Sequence, residues 1–157
     1  MSKKTSASMN LNGDAEAAYA VLIDPGYVQE KNEKTGGSDV NVTVDGDVVK
    51  VTRNLPAPPI AQKISGPTIA SDETTTWGPA DADGNRTGTL VVDLGGKVKM
   101  NGTLTLAANG DTSSLTIDMD IKASVPFIGG KIEGDAIKQF ERAVAAEEPI
   151  ANAWLAK

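Results

Sequence analysis

The 157 residues of this chain include no histidine and no cysteine, and this absence limits the chemistry that its side chains can perform. Thiolate nucleophiles, thiolate metal sites and Ser-His-Asp arrangements are therefore excluded. Four polar residues lie where the strand and helix patterns direct them towards an interior, namely Tyr19, Tyr27, Arg53 and Glu73. Each could orient a carboxylate, carbonyl or hydroxyl group of a ligand. The sequence predicts no catalytic residue, no metal site and no cofactor.

Arg53 allows two interpretations. The alternation of its segment places it on the same strand face as Val49, Val51 and Leu55. In the simpler interpretation the strand frays at this end, and the charged head of Arg53 reaches solvent. In the other, Arg53 is an interior cation that faces an acidic group of a ligand. The sequence leaves both open.

Charge and composition restrict the partners of the chain. A formal net charge of −6 and a pI near 4.6 would repel phosphate backbones, and the basic residues are dispersed, so we expect no nucleic-acid partner. The basic start of the chain runs into polar residues instead of an apolar signal-peptide core, and no stretch approaches the ~20 apolar residues of a membrane span. We predict one cytoplasmic domain over residues 1–157, without an integral membrane segment.

Alternating apolar and polar residues predict an antiparallel sheet with one apolar face and one solvated face. Asp14 and the Asp24-Pro25 step are typical of helix starts, so two short helices should follow the first strand. The Asp45-Gly46 step predicts a tight hairpin. The predicted strands are Thr5–Leu11, Asp39–Asp45, Asp47–Leu55, Thr68–Trp77, Thr87–Leu94, Lys97–Ala108 and Thr112–Ala123.

Three features interrupt these patterns. Leu55–Pro67 contains four prolines, which predict a rim loop with neither a central strand nor a helix interior. Gly102 stands on the apolar face of its strand, where a glycine usually marks a bend or bulge. An amphipathic segment, Ile128–Lys157, closes the chain as a helix. Because Pro149 should kink or interrupt it, we expect the continuous part to be Lys131–Glu148.

Two segments resemble a known superfamily. Gly13–Pro25, where a short helix ends at Asp-Pro, looks like the opening of START-like, polyketide-cyclase and birch-pollen-allergen-like proteins. Val125–Glu133 resembles the approach to the last helix in an uncharacterised bacterial branch of that superfamily, the domain of unknown function 2505 family. The resemblance implies an α+β helix-grip fold. In that fold a curved antiparallel sheet of about six to seven strands wraps around a long C-terminal helix, with two short helices after the first strand.

The resemblance also implies a deep, mostly apolar cavity between the sheet and the C-terminal helix. The superfamily uses such cavities for lipids, sterols, polyketides and plant hormones, or for enzymes that act on them. Taken singly, each inward residue is better explained by packing in a solid core, and the cavity is expected because this fold separates the sheet from the helix. The predicted lining is Val42, Val51, Arg53, Trp77, Leu90, Val92, Met100, Leu104, Ile117, Met119, Ile137, Phe140 and Val144.

The function that these patterns favour is binding of a small hydrophobic molecule, such as a lipid, sterol or polyketide, without catalysis. A cyclase- or dehydratase-like enzyme is the alternative, and it would use Tyr, Glu, Asp or Arg side chains to position and protonate its substrate. A third possibility is an interaction module whose sheet edge or proline-rich segment docks a protein partner.

Overall fold

In the computed structural model, which describes residues 2–157, seven strands and four helices follow one another along the chain. In order they are β1 (Ser2–Leu11), α1 (Ala15–Leu22), α2 (Pro25–Lys34), β2 (Ser38–Asp45), β3 (Val48–Pro56), α3 (Pro59–Ser65), β4 (Thr68–Trp77), β5 (Arg86–Leu94), β6 (Val98–Asn109), β7 (Thr112–Ala123) and α4 (Gly129–Leu155). This order confirms the predicted α+β class and the two short helices after the first strand.

The strands form one antiparallel sheet in the order β1-β7-β6-β5-β4-β3-β2. From β2 to β7 each strand pairs with its neighbour in sequence, whereas β1 pairs with β7. Directly opposite residues point to the same face of a sheet, so rows of inward side chains cross it. One such row consists of Val51, Glu73, Val92, Met100 and Ile121.

The starts of α1 and α2 follow from the two aspartates identified in the sequence. The Asp14 carboxylate accepts a hydrogen bond from the amide of Ala17 at 2.8 Å, and the Asp24 carboxylate accepts one from the amide of Gly26 at 2.8 Å. Both bonds satisfy amides that have no partner within the helix. Pro25 occupies the first turn of α2, where its missing N–H costs nothing. Both predicted helix starts are confirmed.

The proline-rich segment contains a short helix that the sequence analysis did not predict. Pro59 begins α3 because a proline at the first helical position needs no amide donor. Ala61 is the buried residue of this helix, and Gly66 ends it with a φ of 82°, a conformation that glycine adopts readily. The prolines therefore start a helix instead of preventing one, and the prediction of a plain rim loop was wrong at this point.

The C-terminal helix α4 runs without interruption from Gly129 to Leu155, with Pro149 inside it. The prediction that the continuous helix ends at Glu148 was therefore wrong. Pro149 removes one hydrogen bond, to the carbonyl of Ala145 four residues earlier. Both residues are exposed, so water can bind that carbonyl in place of the lost donor.

Side-chain bonds anchor the last turns of α4 beyond Pro149. The side-chain oxygen of Asn152 accepts a hydrogen bond from the amide of Asn12 at 2.8 Å, and its Nδ2 donates to the carbonyl of Asn10 at 3.1 Å. The indole Nε1 of Trp154 donates to the carboxylate of Glu30 at 3.2 Å. These contacts with β1 and α2 hold the end of the helix in place despite the proline.

Gly102 in β6 does not form a bulge. It stays in register with Leu90 on β5 and with Met119 on β7. A Cβ atom at this position would collide with the sulfur of Met119 and lie 3.2 Å from the carbonyl oxygen of Asp118. The glycine therefore provides space for the methionine side chain on the inner face of the sheet.

The most extensive helix–sheet contacts lie at the two edges of the sheet. Helix α4 packs mainly on β1 and β7, and α2 packs on β2. Both edges therefore have a helix on their inner side. The inner faces of β3, β4 and β5 lie between these two contacts, and α4 crosses at a distance from them. The space between them is where a cavity can form.

Candidate ligand cavity

A cavity of about 650 Å³ lies between the middle of the sheet and α4. Its floor is the inner face of β3 to β7, and one side of α4 forms the opposite wall. The proline-rich segment closes a third side, because Pro58, Ala61 and Ile64 around α3 also line the cavity. A cavity of this size lies within the ~300–1,000 Å³ typical of small-molecule sites.

Most of the predicted lining residues do face this cavity, although their role in binding remains a prediction. On α4 the lining positions recur every three or four residues, so they form one continuous stripe along the helix. The sheet supplies the remaining side chains from alternate positions. The predicted residues that line the cavity are Arg53, Trp77, Leu90, Val92, Met100, Leu104, Ile117, Met119, Phe140 and Val144.

Val42, Val51 and Ile137 were predicted to line the cavity, and they are not among its lining residues. Val42 and Val51 are paired on β2 and β3 and belong to the packed core, where α2 covers β2. Ile137 follows Ala136, which does line the cavity, and one residue turns the helix by about 100°. Its side chain is therefore rotated away from the cavity and packs against the core.

One end of the cavity is polar. Lys31 of α2 and Glu147 of α4 form an ion pair, with Nζ and Oε2 3.5 Å apart, and Arg53 and Glu73 line the same cavity from β3 and β4. The side chains of Lys31 and Glu147 are 21% and 15% exposed, so water screens their attraction only partly. Two cations and two carboxylates thus stand together at this end, while Lys97, Asp135 and Gln139 also line the cavity among its more numerous apolar side chains.

The electrostatic balance at this end keeps Lys31 charged. Burial by itself lowers the pKa of the Lys31 ammonium, but the carboxylates of Glu147 and Glu73 outweigh it, and the resulting pKa is raised. The positive charge of Arg53 opposes this effect. Lys31 therefore serves as a fixed cation, and it cannot act as a neutral amine base near neutral pH.

Tyr19 and Tyr27 were placed near the cavity by the sequence, but neither lines it. The hydroxyl of Tyr19 donates to the carboxylate of Asp47, and the guanidinium carbon of Arg86 lies 3.6 Å from the centre of the Tyr19 ring. Burial and the bond to Asp47 raise the pKa of Tyr19 to about 12. Tyr27 is fully buried, and burial raises its pKa to about 12 as well. Both tyrosines are structural groups in this arrangement.

Sequence reasoning missed Lys31, Ser71 and Glu147 as lining residues. Lys31 follows the buried residues Tyr27 and Val28 by four and three positions, so the helical period does place it on their face. Glu147 follows Val144 by three positions in the same way. Helical spacing was therefore a usable signal for both charged residues.

Across residues 2–157, no group of three or more acidic, histidine or cysteine side chains is arranged to hold a metal ion. The same residues include no helix that is both long enough and apolar enough to cross a bilayer.

Solved structures share this architecture over almost their whole length. The protein TTHA0849 from Thermus thermophilus has a TM-score of 0.70 at 12% identity, covering 98% of this chain and 97% of that one. The Zhui aromatase/cyclase from Streptomyces sp. R1128 has a TM-score of 0.64 at 13% identity, covering 99% and 94%. A START superfamily protein from Mycobacterium smegmatis has a TM-score of 0.53 at 15% identity, covering 93% and 97%.

An antiparallel sheet that curves around a long C-terminal helix, with a cavity between them, is the helix-grip fold of START-like proteins, as the sequence resemblance implied. Within that class, residues 6–155 match the family described as "Protein of unknown function (DUF2505)". The chain belongs to this family. No curated protein sequence matches it.

Proposed function

We propose that this protein binds a small, mostly apolar molecule in the cavity between the sheet and α4. The observation that carries the proposal is the cavity itself, which has about 650 Å³ of space and is walled mainly by apolar side chains. Tight packing is the rule inside proteins, and a space large enough for roughly 20 water molecules at ~30 Å³ each departs from it. An apolar ligand would restore the dispersion contacts that the lining side chains lack.

The energy available from the walls alone is limited. Burying roughly 400 Å² of apolar ligand surface contributes about 10 kcal/mol at ~25 cal/mol per Å². The loss of translational and rotational freedom costs at least about 4 kcal/mol of this. At most ~6 kcal/mol therefore remains, which corresponds to a dissociation constant no tighter than tens of micromolar. Tighter binding requires specific contacts with the polar end of the cavity.

A lipid, a sterol or a polyketide is the ligand class that we propose. The helix-grip fold of an aromatase/cyclase and of a START superfamily protein supports this choice, because both have the same architecture at 13% and 15% identity. The mixture of apolar walls and one polar end suits an amphipathic molecule of this kind better than a sugar or a nucleotide, which would need polar contacts on all sides.

A pair of matched substitutions on α4 tests the proposal. Ala143 lines the cavity, whereas Ala145 is exposed. Ala143→Phe should fill part of the space and weaken binding of the neutral dye N-phenyl-1-naphthylamine at least about tenfold, and Ala145→Phe should leave it unchanged. Dye fluorescence measures the affinity, and thermal melting checks the fold. If the unmodified protein does not bind the dye, or if both variants bind it equally, the cavity is not the binding site.

An enzyme of the cyclase or dehydratase type is the second candidate. It is favoured by the carboxylate of Glu73, which projects from β4 into the cavity and could exchange a proton with a bound substrate. The aromatase/cyclase of the same fold adds support. Turnover of a linear polyketide mimic by the unmodified protein, lost in Glu73→Gln with dye binding retained, would favour this candidate. Absence of turnover in the unmodified protein would count against this candidate.

Three further predictions belong to the same proposal. Residues 1–157 should behave as a single domain, with one cooperative unfolding transition by circular dichroism.

The protein should be found in the cytoplasmic fraction of its cells, which fractionation can test. It should not shift DNA or RNA in gel-retardation assays at low salt, where charge attraction is strongest.

A further inference from the structure

Two polar atoms at the wall of the cavity have no partner. Arg53 of β3 and Ser71 of β4 are directly opposite each other in the sheet, and both line the cavity. The Nε of Arg53 and the Oγ of Ser71 are buried, and neither has a hydrogen-bond partner within residues 2–157. Ser71 is only 3% exposed. Buried polar atoms are normally paired, so this neighbouring pair indicates a group that comes from outside the chain.

The charge of Arg53 is also without a close counter-ion. The ion pairs within residues 2–157 do not include it, since the one at this end of the cavity joins Lys31 to Glu147. Its guanidinium is held by one long hydrogen bond, from Nη1 to the hydroxyl of Thr35 at 3.5 Å. Four of its five N–H donors therefore remain for other contacts.

The charged groups around Arg53 define which ligand group would bind. Lys31 and Arg53 repel each other, while Glu147 and Glu73 attract Lys31. The guanidinium of Arg53 can only donate hydrogen bonds, and the hydroxyl of Ser71 can donate one as well. A carboxylate accepts from both at once, and its negative charge would also reduce the repulsion between the two cations. An ammonium or a neutral hydroxyl would provide no such charge pairing.

We propose that the ligand of this protein is an amphipathic carboxylate, with its carboxylate bound by Arg53 and Ser71 and its apolar part in the cavity. This inference rests on the proposed function and gives it a chemical class. The adjacent Glu73 is the group that opposes an anion here, because it lies two residues from Ser71 on the same strand face. Its negative charge limits the affinity.

The test compares decanoate with 1-decanol, which have the same chain and differ in charge. Each is measured by displacement of N-phenyl-1-naphthylamine, which is uncharged, at low salt and pH 8. The unmodified protein should bind decanoate at least about tenfold more tightly than 1-decanol. Arg53→Met should abolish that preference while keeping dye and decanol affinities within about threefold. Arg53→Lys should retain part of it, and Glu73→Gln should increase decanoate affinity.

Two further variants test the location of the contact. Ser71→Ala should reduce the preference for decanoate about threefold, since it removes one donor. Lys99→Met also removes one positive charge, but Lys99 is exposed on the outer face of β6, so the preference should be unchanged. A loss of preference in Lys99→Met equal to that in Arg53→Met would mean that net charge alone controls binding, and would overturn the proposal.

The outcomes separate this inference from the function on which it rests. Equal affinity for decanoate and 1-decanol in the unmodified protein overturns the carboxylate site and leaves hydrophobic binding intact. A preference that persists in Arg53→Met also overturns it. Failure of the dye and both probes to bind overturns the proposed function itself. Should Arg53→Met fail to fold, the comparison of probes in the unmodified protein, Arg53→Lys and Glu73→Gln still decides the question.

Discussion

Glu133 is a buried acid whose removal should measure how firmly α4 is attached to the sheet. Its side chain is 2% exposed, and its carboxylate accepts a hydrogen bond from the amide of Ala123 at 2.9 Å. Ala123 is the last residue of β7, so this bond joins the end of the sheet to the first turns of α4. We predict that Glu133→Ala destabilises the protein substantially and that Glu133→Gln does so much less.

The expected loss of stability can be worked out from the hydrogen bond between Glu133 and Ala123. Losing the acceptor leaves the buried amide of Ala123 unpaired, which costs about 1–3 kcal/mol. Losing the buried methylene groups of the glutamate costs roughly 1 kcal/mol more, and the higher helix propensity of alanine returns less than about 0.5 kcal/mol. Glu133→Ala should therefore lower the free energy of unfolding by about 1.5–4 kcal/mol. Glu133→Gln keeps an acceptor oxygen and loses only the charge, so about 1 kcal/mol is expected.

Urea denaturation followed by circular dichroism measures these differences, and thermal melting should show a decrease of roughly 5–10 °C for Glu133→Ala. Glu141→Ala is the matched control, because Glu141 is exposed on the same helix and its loss should change stability by less than about 0.5 kcal/mol. If Glu133→Ala is no more destabilising than the control, the bond to Ala123 does not anchor α4 and the reasoning is refuted.

Three other perturbations have defined outcomes. The raised pKa values of Tyr19 and Tyr27, both about 12, predict absorbance titration near pH 12 in the folded protein and near pH 10 in urea. Each raised pKa favours the neutral tyrosine in the folded state. The free energy of unfolding should therefore be unchanged below pH 10 and fall between pH 10 and 12, by about 2–3 kcal/mol for the fully buried Tyr27. A tyrosine titration midpoint near pH 10 in the native protein would contradict this. Gly102→Ala should cost about 1–3 kcal/mol in urea denaturation through collision with Met119, and an unchanged midpoint would show that the methionine moves aside freely. Pro149→Ala should raise the free energy of unfolding by about 1–3 kcal/mol by restoring a helical hydrogen bond, and a loss of stability would show that the proline is needed where it stands.

The elements that local chemistry defines were predictable. Asp14 and Asp24 begin helices because their carboxylates bond to amides within three residues, and the Asp45-Gly46 hairpin depends on a glycine with positive φ. The two local errors, at Pro59 and Pro149, have one cause. At these two positions proline was treated as a helix breaker, although its effect depends on whether the missing donor was needed there.

For the cavity, the sequence could predict only which face of each strand or helix points inward. Strand alternation placed Leu90, Val92 and Met100 on an inner face, but the same pattern placed Val51 there, and α2 covers the sheet next to it. Whether an inward side chain faces open space or another side chain depends on the distance between α4 and the strands opposite. No local pattern contains that distance.

The sequence by itself determined that this chain folds as strands of period two and a closing helix of period 3.6, and that its chemistry excludes thiols and imidazoles. Its resemblance also identified the family to which the chain belongs. The tertiary structure alone decided which polar groups meet, because Lys31 and Glu147 are 116 residues apart and Arg53 and Ser71 are joined only by the register of two strands. Side-chain types are local properties of a sequence. Partners, cavities and unpaired atoms are properties of how its elements pack.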